Sequence, residues 1–365
     1  MDYTNLPPLT KGALSLESWN EDRRQEVLEL FRREVYGRIP DEESISVSFN
    51  TAEQSSGYME GRANRAIVEI ICRRLDKEFV FPLYLFTPAA KTEPVPCILT
   101  IMNRALSDAD PSRRSISQFW PAEMIIARGY AAAVLITHEI APDYEESFTT
   151  RFHRLFPEYV KDRPSDSWGA ISAWAWAMSR AIDYLSIDKA IKADSIAVAG
   201  HSRGGKTALW CAAQDPRAAL VLSSCSGCSG GAITRGKTGE HIKEITGTFP
   251  YWFSANYRKY ADKEDSMPFD QHMMAALIAP RPLYLSHKTQ DAWCDPRAEY
   301  ETLKQIAPLY GLYGKPSPLG DAMPGPEETV VSGNLGFHLK SGTHDMDEYD
   351  WERFLAFGEA HFSPC

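Results

Sequence analysis

The chain has no run of apolar residues approaching the ~20 that a membrane-spanning helix needs, which sets that class of membrane protein aside. It also lacks a cationic balance: 39 lysines and arginines stand against 49 aspartates and glutamates, a net charge of −10. Nucleic-acid binding draws on cationic contacts to phosphate, so no nucleic-acid partner is expected. The N-terminal "MDYTNLPPLTKGALSLESWNEDRRQEVLELF" has neither the basic start nor the apolar core of a secretory signal. As it stands the sequence reads as cytoplasmic, with export only if a signal has been removed. Seven cysteines (Cys72, Cys97, Cys211, Cys225, Cys228, Cys294, Cys365) are an odd number scattered through apolar contexts, a pattern of reduced, buried thiols rather than of a disulfide framework. Internal repeats and low-complexity linkers are missing too. Residues 1–365 therefore read as one domain with an N-terminal helical extension over about 1–60, and a monomer is expected.

What is present is enough apolar residue, 44% of the chain, for a large core. Residues 15–36 space apolar positions three and four apart, which predicts an amphipathic helix. "AIVEIIC" (66–72) and "FVFPLYLF" (79–86) predict an antiparallel pair, with Pro82 marking an edge or a bulge. Strands and helices alternate after that. Strands are predicted at 95–102, 131–137, 195–200, 219–225 and 281–287, and helices at 167–185, after residue 206 and at 349–362. Such alternation predicts an α/β protein, a mainly parallel sheet with helices on both faces. Three irregular pieces, 138–166, 226–270 and 308–336, interrupt it. Segments inserted beyond the carboxyl ends of parallel strands are natural pocket walls.

The apolar run "SIAVAG" leads into G-H-S-R-G, residues 200–204, and a helical segment follows. Glycines on either side of a serine at a strand-to-helix turn permit the sharp bend that lifts Ser202 above the sheet, with helix N–H groups behind it to meet an oxyanion. A serine hydroxyl needs a base, and the base needs a carboxylate to orient it. His344 lies in a loop ahead of the last helix, where an imidazole can be presented; His338 and His361 read as structural, and His287 precedes the candidate acid, out of order. Asp291 follows a strand directly and can reach back to His344. Its nearest competitor, Asp295, begins a D-P-R segment that reads as a helix cap, and Asp345 and Asp347 are too close to His344 along the chain to turn onto its ring. Arg203 and Lys206 add two cations to a helix start, where the dipole disfavours them, so a substrate requirement is the better account. Trp293, two residues from Asp291, suits a pocket wall; Trp252 suits a core as well as a pocket, and Trp168, Trp174 and Trp176 suit packing.

The segments "GHSRGGKTALW", "SGCSGGA", "FPYWFSANYRKY", "PFDQHMMAALIAPRPLYL", "DAWCDPRAEY" and "SGTHDMDEYDWERFL" together resemble the bacterial branch of the glucuronoyl esterases, carbohydrate esterase family 15; "REVYGRIP" is similar to that group too. The resemblance implies an α/β-hydrolase fold with a three-layer α/β/α sandwich, no metal, no cofactor, and an acyl-enzyme route to hydrolysis of esters of (4-O-methyl-)glucuronic acid on xylan. It implies Ser202 as nucleophile, His344 as base, Arg203 as oxyanion support, Lys206 on sugar hydroxyls, Trp293 bordering the uronate and Glu240 on the sugar. In one respect the sequence departs from the family. Many members carry a catalytic glutamate where this chain has Cys225, and a neutral thiol cannot replace a carboxylate. The acid role therefore falls to Asp291, as in members with an acid on the later loop. A redox or metal role for Cys225 with Cys228 lacks a second ligand pair. Two rival functions fit the same residues: an acetyl-xylan or cinnamoyl esterase, and a catalytically weak carbohydrate-binding relative that has lost its glutamate.

Overall fold

The computed structural model describes residues 5–40, 42–144 and 148–362. The start of the N-terminal segment and Cys365 lie outside them. Ten strands form one sheet: β1 Ser46–Gly57, β2 Ala63–Arg74, β3 Lys77–Pro88, β4 Val95–Met102, β5 Ala131–Ile136, β6 Ile191–His201, β7 Leu220–Ser224, β8 Leu283–Lys288, β9 Glu328–Ser332 and β10 Leu335–Lys340. Their spatial order is β1-β2-β3-β5-β4-β6-β7-β8-β10-β9. The six strands from β5 to β10 in that order are mutually parallel, while β1, β2, β3 and β9 add antiparallel edges. Fully apolar strands such as β5, buried at every residue, are what a sheet covered on both faces requires.

Helical residues run continuously over 16–36, with Arg24–Phe31 (α1) as their regular α segment. Trp19, Val27, Phe31 and Val35 form its buried stripe. Two longer helices, Ala170–Leu185 (α2) and Arg203–Gln214 (α3), join α1 on one face of the sheet around Trp174 and Trp210. Pro296–Leu312 (α4) packs there too, through Leu303 and Ile306. On the opposite face Glu348–His361 (α5) buries Trp351 and Phe354 against Tyr284 and Trp120. The result is the three-layer α/β-hydrolase arrangement. The tryptophans read as packing, Trp168, Trp174 and Trp176, are all buried.

Three expectations need correction. The N-terminal extension is helical only to Tyr36, apart from a short turn at Glu42–Ser44; Ser46–Gly57 is strand β1, whose mostly exposed, polar residues hide the apolar alternation that would have marked it. Pro82 sits on neither an edge strand nor a bulge. β2 pairs with β3 in unbroken register through Glu69 and Pro82, and β5 pairs only with Tyr84–Phe86, which leaves the Pro82 stretch unpaired on that side. The piece 308–336 holds the end of α4, all of β9 and the start of β10.

His338 is a fully buried strut. Its Nε2 is 2.8 Å from Asp350 Oδ1, and Lys288 Nζ donates to the other oxygen of the same carboxylate at 2.6 Å, tying α5 to β8 and β10. The six described cysteines are free and buried. Among the described residues no helix is long and apolar enough to cross a membrane.

Candidate active site

Adjacent strands β6, β7, β8 and β10 end at one edge of the sheet, and each delivers one residue there: Ser202, Cys225, Asp291 and His344. Ser202 takes φ +56° and ψ −123° between β6 and α3, a left-handed turn that the elbow imposes on a non-glycine residue. Its N–H is held by Ser224 O at 2.8 Å. Gly200 is required there: a Cβ on it would lie 2.2 Å from Gly204 O.

Strand register joins the next two residues. Lys288 pairs with Lys340, so the loops that follow run side by side. Thr289 N–H donates to Lys340 O and Gln290 N–H to Gly342 O, both at 2.9 Å. Asp291 and His344 thereby meet, with Nδ1···Oδ2 at 2.6 Å. Burial opposes ionisation of Asp291, but the His344 hydrogen bond and the imidazoles of His344 and His287 hold its carboxyl below the usual range. Asp295 caps α4, accepting from Ala298 N–H, and Asp347 caps α5, pairing with Lys340. His287 lies fully buried in β8, where burial pushes it down to about 4.

Cys225 occupies the end of β7 at φ +46°, its N–H on Ser286 O at 2.8 Å. Its Sγ is within 4.8 Å of ring nitrogens of both His201 and His344. Burial first, and then the Asp291 carboxylate, push this thiol well above its ordinary range, so it is neutral.

Arg203 is held by residues that no sequence motif announced. Its guanidinium pairs with Asp143, from the piece 138–166, and lies over the Trp252 ring, 4.9 Å from the centroid. Trp252 Nε1 donates to the other oxygen of Asp143 at 2.6 Å, and Tyr251 OH donates to the Asp143 carbonyl at 3.0 Å. Trp252 is buried, stacked on Phe249 at 3.9 Å, so it serves as both core and support. Tyr251 and Phe253 instead line a hollow of about 410 Å³ with Phe148, Arg163 and Arg258. The Nε of Arg203 is buried with no protein acceptor among the described residues.

Lys206 is buried one turn into α3, and its Nζ donates to Ser226 O at 2.5 Å. Glu240 and Trp293 are neighbours although 53 positions apart: Glu240 N–H donates to Trp293 O at 2.9 Å, and the Trp293 side is 54% exposed. Two further residues were silent in the sequence. Arg104 donates to His344 O at 3.3 Å and pairs with Asp345, holding the histidine loop. Glu299 accepts from Ser226 Oγ at 2.8 Å and Gly227 N–H at 2.5 Å, fixing the turn after β7; burial, opposed by those bonds, raises it to about 7.

A nucleophile elbow, an imidazole–carboxylate pair and a supported arginine at one strand edge can carry out acyl transfer through a serine. The known proteins that this chain is similar to are esterases. The model of the family "Glucuronyl esterase, fungi" matches residues 71–314. Carbohydrate esterase MZ0003, from an unknown prokaryotic organism, is 33% identical over 96% of this chain and 86% of its own length. The 4-O-methyl-glucuronoyl methylesterase of Schizophyllum commune is 32% identical over 56% of this chain, and the match spans about half of that protein, 56%. Among solved structures, a glucuronoyl esterase from Solibacter usitatus superposes with a TM-score of 0.90 at 34% identity, covering 100% of this chain and 99% of that one.

Proposed function

The chain belongs to the glucuronyl esterase family, and on that premise we propose that it hydrolyses esters of (4-O-methyl-)D-glucuronic acid through a Ser202–His344–Asp291 triad. The observation that carries the triad is the 2.6 Å His344–Asp291 bond at the strand edge that also presents Ser202. Ser202 Oγ attacks the ester carbonyl while His344 Nε2 takes its proton. Asp291 holds Nδ1–H and stabilises the imidazolium. His344 then protonates the leaving alcohol, and water repeats the sequence on the acyl-enzyme. The tetrahedral oxyanion is met by backbone N–H groups at the start of α3 and by Arg203, whose guanidinium Asp143 and the Trp252 ring hold in place. Lys206 and Glu240 hold sugar hydroxyls, and the exposed face of Trp293 packs on the uronate ring.

Kinetics on methyl and benzyl esters of glucuronate, 4-O-methylglucuronate and galacturonate, beside acetylated xylan, test the substrate class, with Ser202→Ala as the blank. The glucuronate esters should be turned over and acetyl release should stay at the blank. Preferential deacetylation would refute the acyl-group assignment.

Asp143 is a positioning residue in this scheme: it touches no reacting atom but fixes where Arg203 points. Losing one oxyanion donor costs about 10²–10³ in kcat. Asp143→Ala should therefore lower kcat by about tenfold or more at nearly constant KM, and should add little to Arg203→Ala. Full additivity of the two losses would show that Asp143 acts by another route.

A further inference from the structure

Beside the His344 ring lies a thiol that takes no part in the hydrolysis. Cys294 Sγ is 3.7 Å from His344 Nδ1, and Asp291 Oδ2 is 2.6 Å from the same nitrogen. One donor atom from each of Asp291, Cys294 and His344 falls within 4.8 Å of the other two. Ligands of a tetrahedral zinc ion at ~2.0–2.3 Å stand about 3.3–3.6 Å apart. The sulfur–nitrogen spacing is already close to that, and the carboxylate has to swing outward by only ~0.7 Å. Thiolate, imidazole and carboxylate together suit zinc and its softer congener cadmium rather than magnesium or calcium. The His344 side chain is 38% exposed, so an ion can arrive by the substrate's own route.

We propose that Cys294, Asp291 and His344 form an inhibitory site for a thiophilic divalent cation, Zn²⁺ or Cd²⁺, that disables the base. The inference rests on the assignment of His344 as base. During hydrolysis the neutral ring carries its proton on Nδ1, facing Asp291, and its lone pair on Nε2, facing the serine. On metal binding the Cys294 thiol releases its proton to solvent and the thiolate coordinates. The ring proton moves from Nδ1 to Nε2, and the Nδ1 lone pair goes to the ion. A ring with Nε2–H has no lone pair for the proton of Ser202, and turnover stops. No oxidation is involved, and a chelator reverses the step. A second set of donors, His201, Cys225 and the same His344, also falls within 4.8 Å, and both nitrogens of the buried His201 lack protein partners among the described residues. Cys294 is favoured because Cys294 and Asp291 keep 6% and 5% of their surface exposed, whereas Cys225 and His201 keep 0% and 1%.

Titration calorimetry with Zn²⁺, and with Cd²⁺ followed by the ultraviolet thiolate-to-cadmium band, tests the site without reference to activity. The intact protein and Ser202→Ala should each bind one ion. Cys294→Ala should lose the band, keep most of its basal turnover, and need at least tenfold more Zn²⁺ for half inhibition, about 1.4 kcal/mol of binding. Cys225→Ala should stay sensitive. The proposal is overturned if Cys294→Ala binds and responds as the intact protein does, or if Cys225→Ala alone abolishes sensitivity. Should the protein turn over no uronic ester, the stoichiometry and the band still read the site, so failure of the functional assignment is distinguishable from failure of this one.

Discussion

Ser202→Ala should reduce kcat on a glucuronate ester by about 10⁶-fold, and adding His344→Ala should reduce it hardly further. The reason is that serine and imidazole act as one unit: an alkoxide does not form at neutral pH unless the ring takes its proton, and the ring has nothing to activate once the hydroxyl is gone. What survives is catalysis by binding and by the oxyanion donors, about 10³–10⁴ over water in comparable triads. The elbow makes the serine change clean, because the strained φ of +56° is set by the neighbouring turn and not by the hydroxyl, so alanine adopts the same backbone. Single-turnover kinetics with both single variants and the double would check this. Losses that multiply across the two positions would mean that Ser202 and His344 work independently, and the acyl-enzyme route would fall.

Much of this arrangement was legible in the chain because it is local. An apolar run into G-H-S-R-G is a strand, a turn and a helix in one short continuous stretch, and the structure places β6, Ser202 and α3 there. Asp291 and His344 were legible for a related reason. Each follows closely on a strand, Asp291 on one that the apolar run predicts and His344 on β10, and parallel strands of one sheet end at the same edge. What stayed hidden depends on contacts between distant segments. Asp143 reaches Arg203 across 60 positions from an irregular piece with no periodicity, and nothing in "EIAPDYEE" marks its one aspartate as the partner of an arginine. Glu299 reads as an ordinary helix residue, and only packing shows it buried against the turn after β7. β1 escaped because its sequence, "SVSFNTAEQSSG", is polar where strands usually advertise themselves.

The place of the acid is the point on which the sequence departs from its family, and it sets the second large effect. Asp291→Asn should lower kcat by about 10³–10⁴-fold with little change in KM, because the amide neither stabilises the imidazolium nor enforces the tautomer with hydrogen on Nδ1. Cys225→Ala should stay close to the intact enzyme, since the buried thiol is neutral and carries no charge to the ring. The same geometry allows a stricter test. Cys225 Sγ lies within 4.8 Å of a His344 ring nitrogen, so a carboxylate on this strand end, where the resemblance to the family implies a glutamate, comes within reach of the imidazole. Cys225→Glu in the Asp291→Asn background should recover at least about tenfold of the lost rate, the scale on which a nearby anion stabilises an imidazolium in a partly buried site. Recovery would show that the ring needs a carboxylate and accepts it from either loop. If Asp291→Asn already turned over at the intact rate, the acid would have to be sought elsewhere, and the 2.6 Å contact with His344 would be structural only.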